Sequence, residues 1–127
     1  MSGPETYDLF AIRYGSVAGR LRRDNFIIAP DHPADPHDGP MPLDYFVWAI
    51  VNENRTIVVD TGFEYSEAEK RGRKITRLPR DGLEIIGINA DTVEDVIITH
   101  LHYDHAGTLD DFPAARFHLQ ASEMNYA

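Results

Sequence analysis

Three histidines and an aspartate lie close together near the end of the chain, between Thr99 and Gly107. They are His100, His102, Asp104 and His105. Imidazole and carboxylate are the ligands that zinc and similar divalent ions accept when no thiolate is available, and the chain contains no cysteine. Because adjacent polar groups in a core would each need a buried partner, a purely structural role is improbable. The cluster therefore predicts a metal site.

The spacing of these residues indicates how they reach a metal. Side chains alternate along an extended segment, so His100 and His102 point to the same side and can reach one ion, while Leu101 points away into the core. If the chain turns into a helix at about Asp104, then Asp104 and His105 leave this register and aim at a second ion. The spacing therefore predicts two metal ions.

Strands must position this segment. The β-branched run Val96–Thr99 comes directly before the histidines and predicts a buried strand that ends at the site. The run Arg116–Gln120 predicts the next strand. At the other end of the chain, Tyr7–Tyr14 and Phe26–Ala29 are rich in strand-forming residues and can pair.

A hairpin and two helices are predicted between these strands. Asp44–Val51 and Arg55–Val59 flank a short polar connection of the type that closes a β-hairpin. Ser66–Gly72 has a capping-box spacing between Ser66 and Glu69, which favours a short helix starting at that serine. Pro79–Ile86 predicts a second helix, with Gly87 as its stop. Strands, helices and strands in this order indicate a mixed α/β fold.

The other histidines are predicted to lie outside the site. His32 and His37 fall in the Pro-rich segment Ala29–Pro42, which predicts a loop with solvated side chains, although such a loop can border a substrate pocket. His118 lies in a predicted strand, where a core or surface position is expected.

Length and charge restrict the class of protein. The chain has 127 residues, enough for one domain, and a net charge of −9, the wrong sign for holding nucleic acid. No stretch approaches the roughly 18 to 20 apolar residues that span a bilayer. Glu5, Asp8 and Arg13 interrupt the start where a secretory signal would be apolar. We expect a cytoplasmic protein with neither nucleic acid nor membrane as its partner.

Two motifs resemble a known family. The pattern His-x-His-x-Asp-His after a strand resembles the signature of the metallo-β-lactamase superfamily of metal-dependent hydrolases. The segment Val58–Gly62 resembles the Asp-Thr-Gly element that precedes this signature. Within the superfamily, residues 100–107 and the strand containing Val47 and Trp48 are similar to the N-acyl homoserine lactonase branch.

The resemblance implies a role for each site residue. It assigns His100 and His102 to the first metal and Asp104 and His105 to the second, with zinc expected at both positions. Asp60 is similar to a buried carboxylate that holds the loop of metal ligands in place. In this sequence that loop is Thr99–Gly107, and we call it the metal loop. An Asp-Thr-Gly segment after a strand can equally form an ordinary turn in which the carboxylate caps backbone amides, and both interpretations of Asp60 remain open.

The resemblance also implies a larger fold. The superfamily domain is a four-layered αββα sandwich built from two similar halves, and residues 1–127 resemble the first half. The pattern requires another histidine for each metal and a bridging aspartate, and none follows His118. The chain ends where a helix capped by Ser122 is starting. We therefore expect the N-terminal part of one domain, with the C-terminal half missing and a second chain or self-association able to complete it.

The function implied is the opening of a lactone ring, as in quorum quenching. A metal-bound hydroxide would attack the carbonyl of an N-acyl homoserine lactone or related ester, and Asp104 would relay a proton to the leaving alkoxide. The same metal loop serves hydrolases of thioesters, phosphodiesters and β-lactams, so these substrates remain open. A non-catalytic half-domain that acts through interaction is the alternative from a different class.

Overall fold

The computed structural model describes residues 4–25 and 39–126. The predicted strand Phe26–Ala29, His32, His37 and most of the Pro-rich segment lie outside these residues. Among the residues described, no helix has the length and apolar composition needed to cross a membrane. The elements, in chain order, are β1 (Asp8–Val17), α1 (Arg22–Asn25), β2 (Leu43–Val51), β3 (Thr56–Val59), α2 (Tyr65–Arg71), β4 (Lys74–Ile75), α3 (Pro79–Ile85), β5 (Asp95–Ile98), α4 (Tyr103–Ala106), β6 (Arg116–Leu119) and α5 (Ala121–Tyr126).

One six-stranded mixed sheet organises the chain, in the order β4-β1-β2-β3-β5-β6. Strands β1, β2 and β3 pair antiparallel, which confirms the predicted hairpin. In its turn the Asn52 side chain accepts hydrogen bonds from the Asn54 and Arg55 amides at 2.9 and 2.8 Å. Strands β3, β5 and β6 are parallel. Because parallel strands end at the same edge of a sheet, Asp60 and Thr99 become neighbours there.

The inner face of the sheet carries the core. Alternate residues of β2, β3 and β5 are fully buried, as the period of two requires, with Val47, Val58 and Val96 all at 0% exposure. Helix α3 lies against β1 and buries Leu83 completely. Phe63, in the loop after β3, is also fully buried. The core therefore extends directly beneath the end of the sheet where the predicted site lies.

On the opposite face of the sheet, several large apolar side chains of the described residues are exposed. Leu9, Phe46, Trp48 and Ile97 are 75%, 36%, 45% and 36% exposed, and the strand registers place them on one side. We call these four residues the apolar outer face. The ring centroids of Phe46 and Trp48 lie 5.8 Å apart, so these two exposed side chains are adjacent. Adjacent exposed apolar side chains mark an interaction site more often than scattered single residues do.

Two predicted helix caps are wrong. Helix α2 begins at Tyr65 with Glu64 as its N-cap, and no side-chain hydrogen bond caps it. Ser66 lies inside the first turn, where its hydroxyl donates to the Glu64 carboxylate instead of the backbone amide a capping box requires. Ser122 likewise lies inside α5, which begins at Ala121. The predicted stop after α3 is confirmed, because Gly87 adopts φ +85°.

The loop after β3 leaves no space for a side chain at Gly62. It has φ +74°, and a Cβ there would lie 2.7 Å from Pro79 Cγ and 2.8 Å from Tyr14 Cζ. Gly72 has a similar φ of +67° but open space around it. We expect Gly72→Ala to cost about 1–2 kcal/mol for the left-handed backbone alone. We expect Gly62→Ala to cost about 1–3 kcal/mol more, because overpacking adds to the backbone strain. Urea unfolding of both variants measures the difference, and equal losses would contradict the packing.

Candidate metal centre

The predicted site lies at the edge of the sheet where β3 and β5 end. His100 to His102 continue from β5, and His102 is the extended N-cap of α4, with φ −69° and ψ 154°. The chain therefore changes from extended to helical within one residue of the predicted position. Leu101 packs against the core, as expected, and its amide donates to a Glu123 carboxylate oxygen of α5 at 2.9 Å.

Three of the four predicted ligands converge, and the ring of the fourth, His102, lies against that of His100. The His100 ring centroid lies 4.6 Å from that of His102 and 3.9 Å from that of His105. Ligand atoms of His100, Asp104 and His105 all lie within 4.8 Å of one another. Imidazole nitrogen and carboxylate oxygen are donor types that fit a divalent ion such as zinc.

The grouping differs from the predicted division between two ions. His100 lies with Asp104 and His105, which the resemblance assigned to the second metal, and His105 Nε2 is 3.3 Å from Asp104 Oδ2. His102 joins the cluster through its ring contact with His100. The number of metals and the ligands of each therefore stay predictions.

Asp60 lies beneath the cluster and is 2% exposed. Its carboxylate accepts hydrogen bonds from the Thr99 amide at 2.8 Å and from the Thr99 hydroxyl at 2.9 and 3.0 Å. Its Oδ2 also lies 2.6 Å from His105 Nδ1. The carboxylate does accept from a backbone amide, as one interpretation expected. That amide belongs to Thr99, at the end of the neighbouring strand β5, and not to the turn that contains Asp60. The same carboxylate orients His105, as the other interpretation expected.

This contact selects the nitrogen that His105 can offer to a metal. Since Nδ1 faces Asp60, Nε2 is the atom that faces Asp104. A histidine whose second nitrogen is held by a carboxylate keeps one ring orientation and becomes a more basic ligand. Any role of Asp60 toward a metal follows from this contact and stays a prediction.

Asp60, Asp104 and His105 stabilise one another in their charged forms. Burial disfavours ionisation of Asp60, but hydrogen bonds from His105 and Thr99 outweigh it and lower the pKa of that carboxyl. Asp104 also has a lowered pKa, because hydrogen bonding to His105 outweighs its burial. For His105 the opposing effect of burial is overcome by Asp104 and Asp60, which raise its pKa to about 9. At neutral pH the metal-free site holds an imidazolium between two carboxylates.

Further residues of the site gave no separate signal in the sequence. The Thr61 amide donates to the His105 carbonyl at 2.8 Å, and the Thr108 hydroxyl donates to the Thr61 carbonyl at 2.7 Å. The Gly107 amide donates to the Gly62 carbonyl at 2.9 Å. These bonds hold the metal loop against the Asp-Thr-Gly segment. Thr61 lies inside a recognised motif, whereas Thr108 has no local pattern that would have revealed it.

His118 lies away from these contacts. Its side chain is 53% exposed on β6, and its Nε2 is 2.9 Å from Asp95 Oδ1. Of the core and surface positions that the sequence left open for this histidine, the structure has the surface one.

Comparison with known proteins identifies the family. A model of the metallo-beta-lactamase superfamily matches residues 40–127. The matched residues include the Asp-Thr-Gly segment and all four predicted ligands. The chain belongs to the metallo-beta-lactamase superfamily.

Particular relatives extend this result. A probable metallo-hydrolase of Mycobacterium bovis is 27% identical over 94 residues, which cover 64% of this chain and 30% of that protein. A crystal structure of a quorum-quenching N-acyl homoserine lactone lactonase matches with TM-score 0.69 and 22% identity, over 98% of this chain and 50% of that one. An N-acyl homoserine lactone hydrolase, with N-hexanoyl-L-homoserine bound at its catalytic metal centre, matches with TM-score 0.67 and 19% identity, over 94% and 50%.

These matches confirm the predicted fold class. The mixed sheet has the metallo-β-lactamase fold, and the chain spans about half the length of the two solved structures. It spans less than a third of the mycobacterial relative.

The Asp60 contact yields a pH prediction for the metal-free protein. A raised His105 pKa adds stability that is fully present below the ordinary value of 6.5 and is lost as the pH rises through about 9. Asp60→Asn removes one of the two carboxylates, so we expect the His105 pKa to fall and the alkaline loss of stability to become smaller and to be complete at lower pH. An NMR titration of the imidazole signals measures both proteins. His118 is the internal control, and an unchanged His105 pKa would refute the contact.

Proposed function

We propose that this chain supplies the metal-binding half of a hydrolase that opens the ring of an N-acyl homoserine lactone or a related lactone. The observation that carries the proposal is the convergence of His100, Asp104 and His105 above the buried Asp60 carboxylate. Solved structures with this fold include lactonases, one of them with an opened lactone product at its metal centre. A small lactone or ester is therefore the proposed substrate.

The proposed cofactor is a pair of divalent metal ions, with zinc as the expected metal. His100 and His102 would hold the first ion, and Asp104 and His105 the second. When bound, such ions lower the pKa of water and polarise the substrate carbonyl. Catalytic zinc usually has three protein ligands and one open position, so each ion needs a further ligand from outside these four residues.

Asp104 is the proposed proton carrier. As a proposed metal ligand it must be a carboxylate, so it cannot begin as the acid. It can accept the proton of the attacking water first and then pass it to the alkoxide that leaves as the ring opens. Asp60 acts one step further away, because it fixes the ring of His105.

We propose that residues 1–127 form the N-terminal part of a single domain. The chain spans 50% of each lactonase structure cited above, and its apolar outer face is the surface against which a second layer can pack. The same face favours the second candidate function, a half-domain that acts by binding another chain. Isolation of the full-length protein, with its intact mass and oligomeric state, distinguishes the two.

The substrate class is tested with a panel. Homoserine lactones, a thioester, a phosphodiester and a β-lactam are offered to the zinc-loaded full-length protein, and we expect the lactones to be hydrolysed fastest. Faster hydrolysis of another ester would replace the lactonase assignment and leave the hydrolase assignment in place. The net charge of −9 argues against nucleic acid as the natural phosphodiester.

Two histidine variants test the ligand assignment. His102→Ala removes a predicted ligand, so we expect most of the bound metal and of the activity to be lost. His118→Ala removes an exposed histidine that pairs with Asp95, so both should be nearly unchanged. Metal content by mass spectrometry and lactone hydrolysis are measured on the same samples, and equal losses in the two variants would show that the ligands are misassigned.

Asp104→Asn tests the proton carrier. The amide keeps the shape of the side chain but removes the charge and the transferable proton, so ring opening should slow by about 10²–10⁴-fold. Metal content is determined alongside, because loss of metal would slow the reaction by another route. If the variant retains its metals and opens a homoserine lactone at near the parental rate, Asp104 carries no proton.

A further inference from the structure

The helix that carries two of the proposed ligands cannot hold itself in place. Helix α4 has four residues, none of them buried, and no side-chain hydrogen bond caps its N-terminus. A helix this short has almost no stability of its own, because the free-energy cost of nucleating a helix exceeds the gain from the hydrogen bonds of a single turn. The positions of Asp104 and His105 must therefore be set by groups outside the helix.

Backbone bonds from the Asp-Thr-Gly segment supply part of this support. The amides that would extend the helix bond elsewhere, the Gly107 amide to the Gly62 carbonyl at 2.9 Å and the Thr108 amide to the Thr61 hydroxyl at 3.2 Å. The His105 carbonyl accepts from the Thr61 amide at 2.8 Å. These contacts hold the C-terminal end of α4, but none of them involves the Asp104 carbonyl, which has a different donor.

That donor is Tyr14, which lies 90 positions earlier in the chain. Its hydroxyl donates to the Asp104 carbonyl at 3.0 Å. The side chain is fully buried, and its ring packs edge-on against Phe63 with centroids 5.3 Å apart. The Tyr14 carbonyl accepts from the Thr76 amide at 2.9 Å, which ties β1 to the segment before α3. The position of the Tyr14 hydroxyl is therefore determined by packing in the core and by hydrogen bonds of the sheet.

We propose that Tyr14 is a positioning residue for the metal loop, whose hydroxyl fixes the backbone of Asp104 and thereby the approach of its carboxylate to a bound metal. The inference rests on the proposed metal site, and it predicts an effect on the loop even when no metal is bound. A merely structural tyrosine would contribute to overall stability without a specific effect on the loop.

Tyr45 provides the matched control. It lies in the same aromatic cluster, with its ring 5.1 Å from Phe63, but its hydroxyl is 3.4 Å from the Tyr103 hydroxyl and bonds no backbone group of the loop. Tyr103 has other partners, because Arg73 Nε donates to its hydroxyl at 3.3 Å and the Arg71 guanidinium lies 3.8 Å from its ring centre. Loss of the Tyr45 hydroxyl therefore leaves the loop held.

Hydrogen exchange of the metal-free full-length protein is the first test. In Tyr14→Phe the ring remains and only the hydroxyl is lost. The Gly107 and Thr108 amides should exchange about three- to tenfold faster, the effect expected of one hydrogen bond. The amides of β3 and β5 should be unchanged, and Tyr45→Phe should resemble the parent protein throughout. Unchanged loop amides in Tyr14→Phe, or equal acceleration in both variants, would overturn the inference.

Titration with Co²⁺ is the second test. We expect the Kd of Tyr14→Phe to rise about three- to tenfold and its visible absorption bands to shift, while Tyr45→Phe keeps the parental values. Parental affinity and spectrum in Tyr14→Phe would overturn the inference. If the parent binds no Co²⁺ although the exchange result holds, the proposed function fails and the positioning role stands.

Discussion

The carboxylate of Asp60 is buried where two parallel strands end, and a buried charge is tolerated only when it is paired. Its partners are the amide and hydroxyl of Thr99 and the Nδ1 of His105. Removing a partner would leave this buried carboxylate incompletely paired, which is destabilising. The requirement to satisfy this carboxylate therefore ties the end of β3 to the end of β5 and fixes one imidazole of the cluster. It also accounts for the left-handed backbone at Asp60, whose φ is +63°, because the surrounding contacts hold a conformation that a non-glycine residue otherwise avoids.

Close packing transmits this constraint to the metal loop. A Cβ at Gly107 would lie 2.5 Å from the Tyr103 carbonyl oxygen and 2.6 Å from that of Gly62, so the two segments approach as closely as backbone allows. From the core side, the Tyr14 hydroxyl donates a hydrogen bond to the Asp104 carbonyl of the same loop. The proposed ligands thus lie on a closely packed base. Such packing is what a metal site needs if its open position is to face a substrate in one geometry.

The parts of this structure that the sequence predicts are those with a local cause. Alternation along β2 and β5 and the polar turn between β2 and β3 predict the sheet, and the spacing of His100, His102, Asp104 and His105 predicts their convergence. The caps proposed at Ser66 and Ser122 are wrong because a serine near a helix start does not determine where the first turn begins. The bond from Tyr14 to Asp104 joins residues 90 positions apart, and no local pattern contains it. The grouping of His100 with Asp104 and His105 depends on three-dimensional positions, which spacing along the chain does not encode.

The proposed metal centre consists of His100, His102, Asp104 and His105 above Asp60. A crystal of the zinc-loaded full-length protein, with anomalous data collected on both sides of the zinc edge, would show whether these residues bind metal. We expect two anomalous peaks, each within about 2.0–2.2 Å of nitrogen or oxygen atoms of these side chains. Ordered side chains with no anomalous peak among them, or zinc bound only elsewhere on the surface, would contradict this proposal.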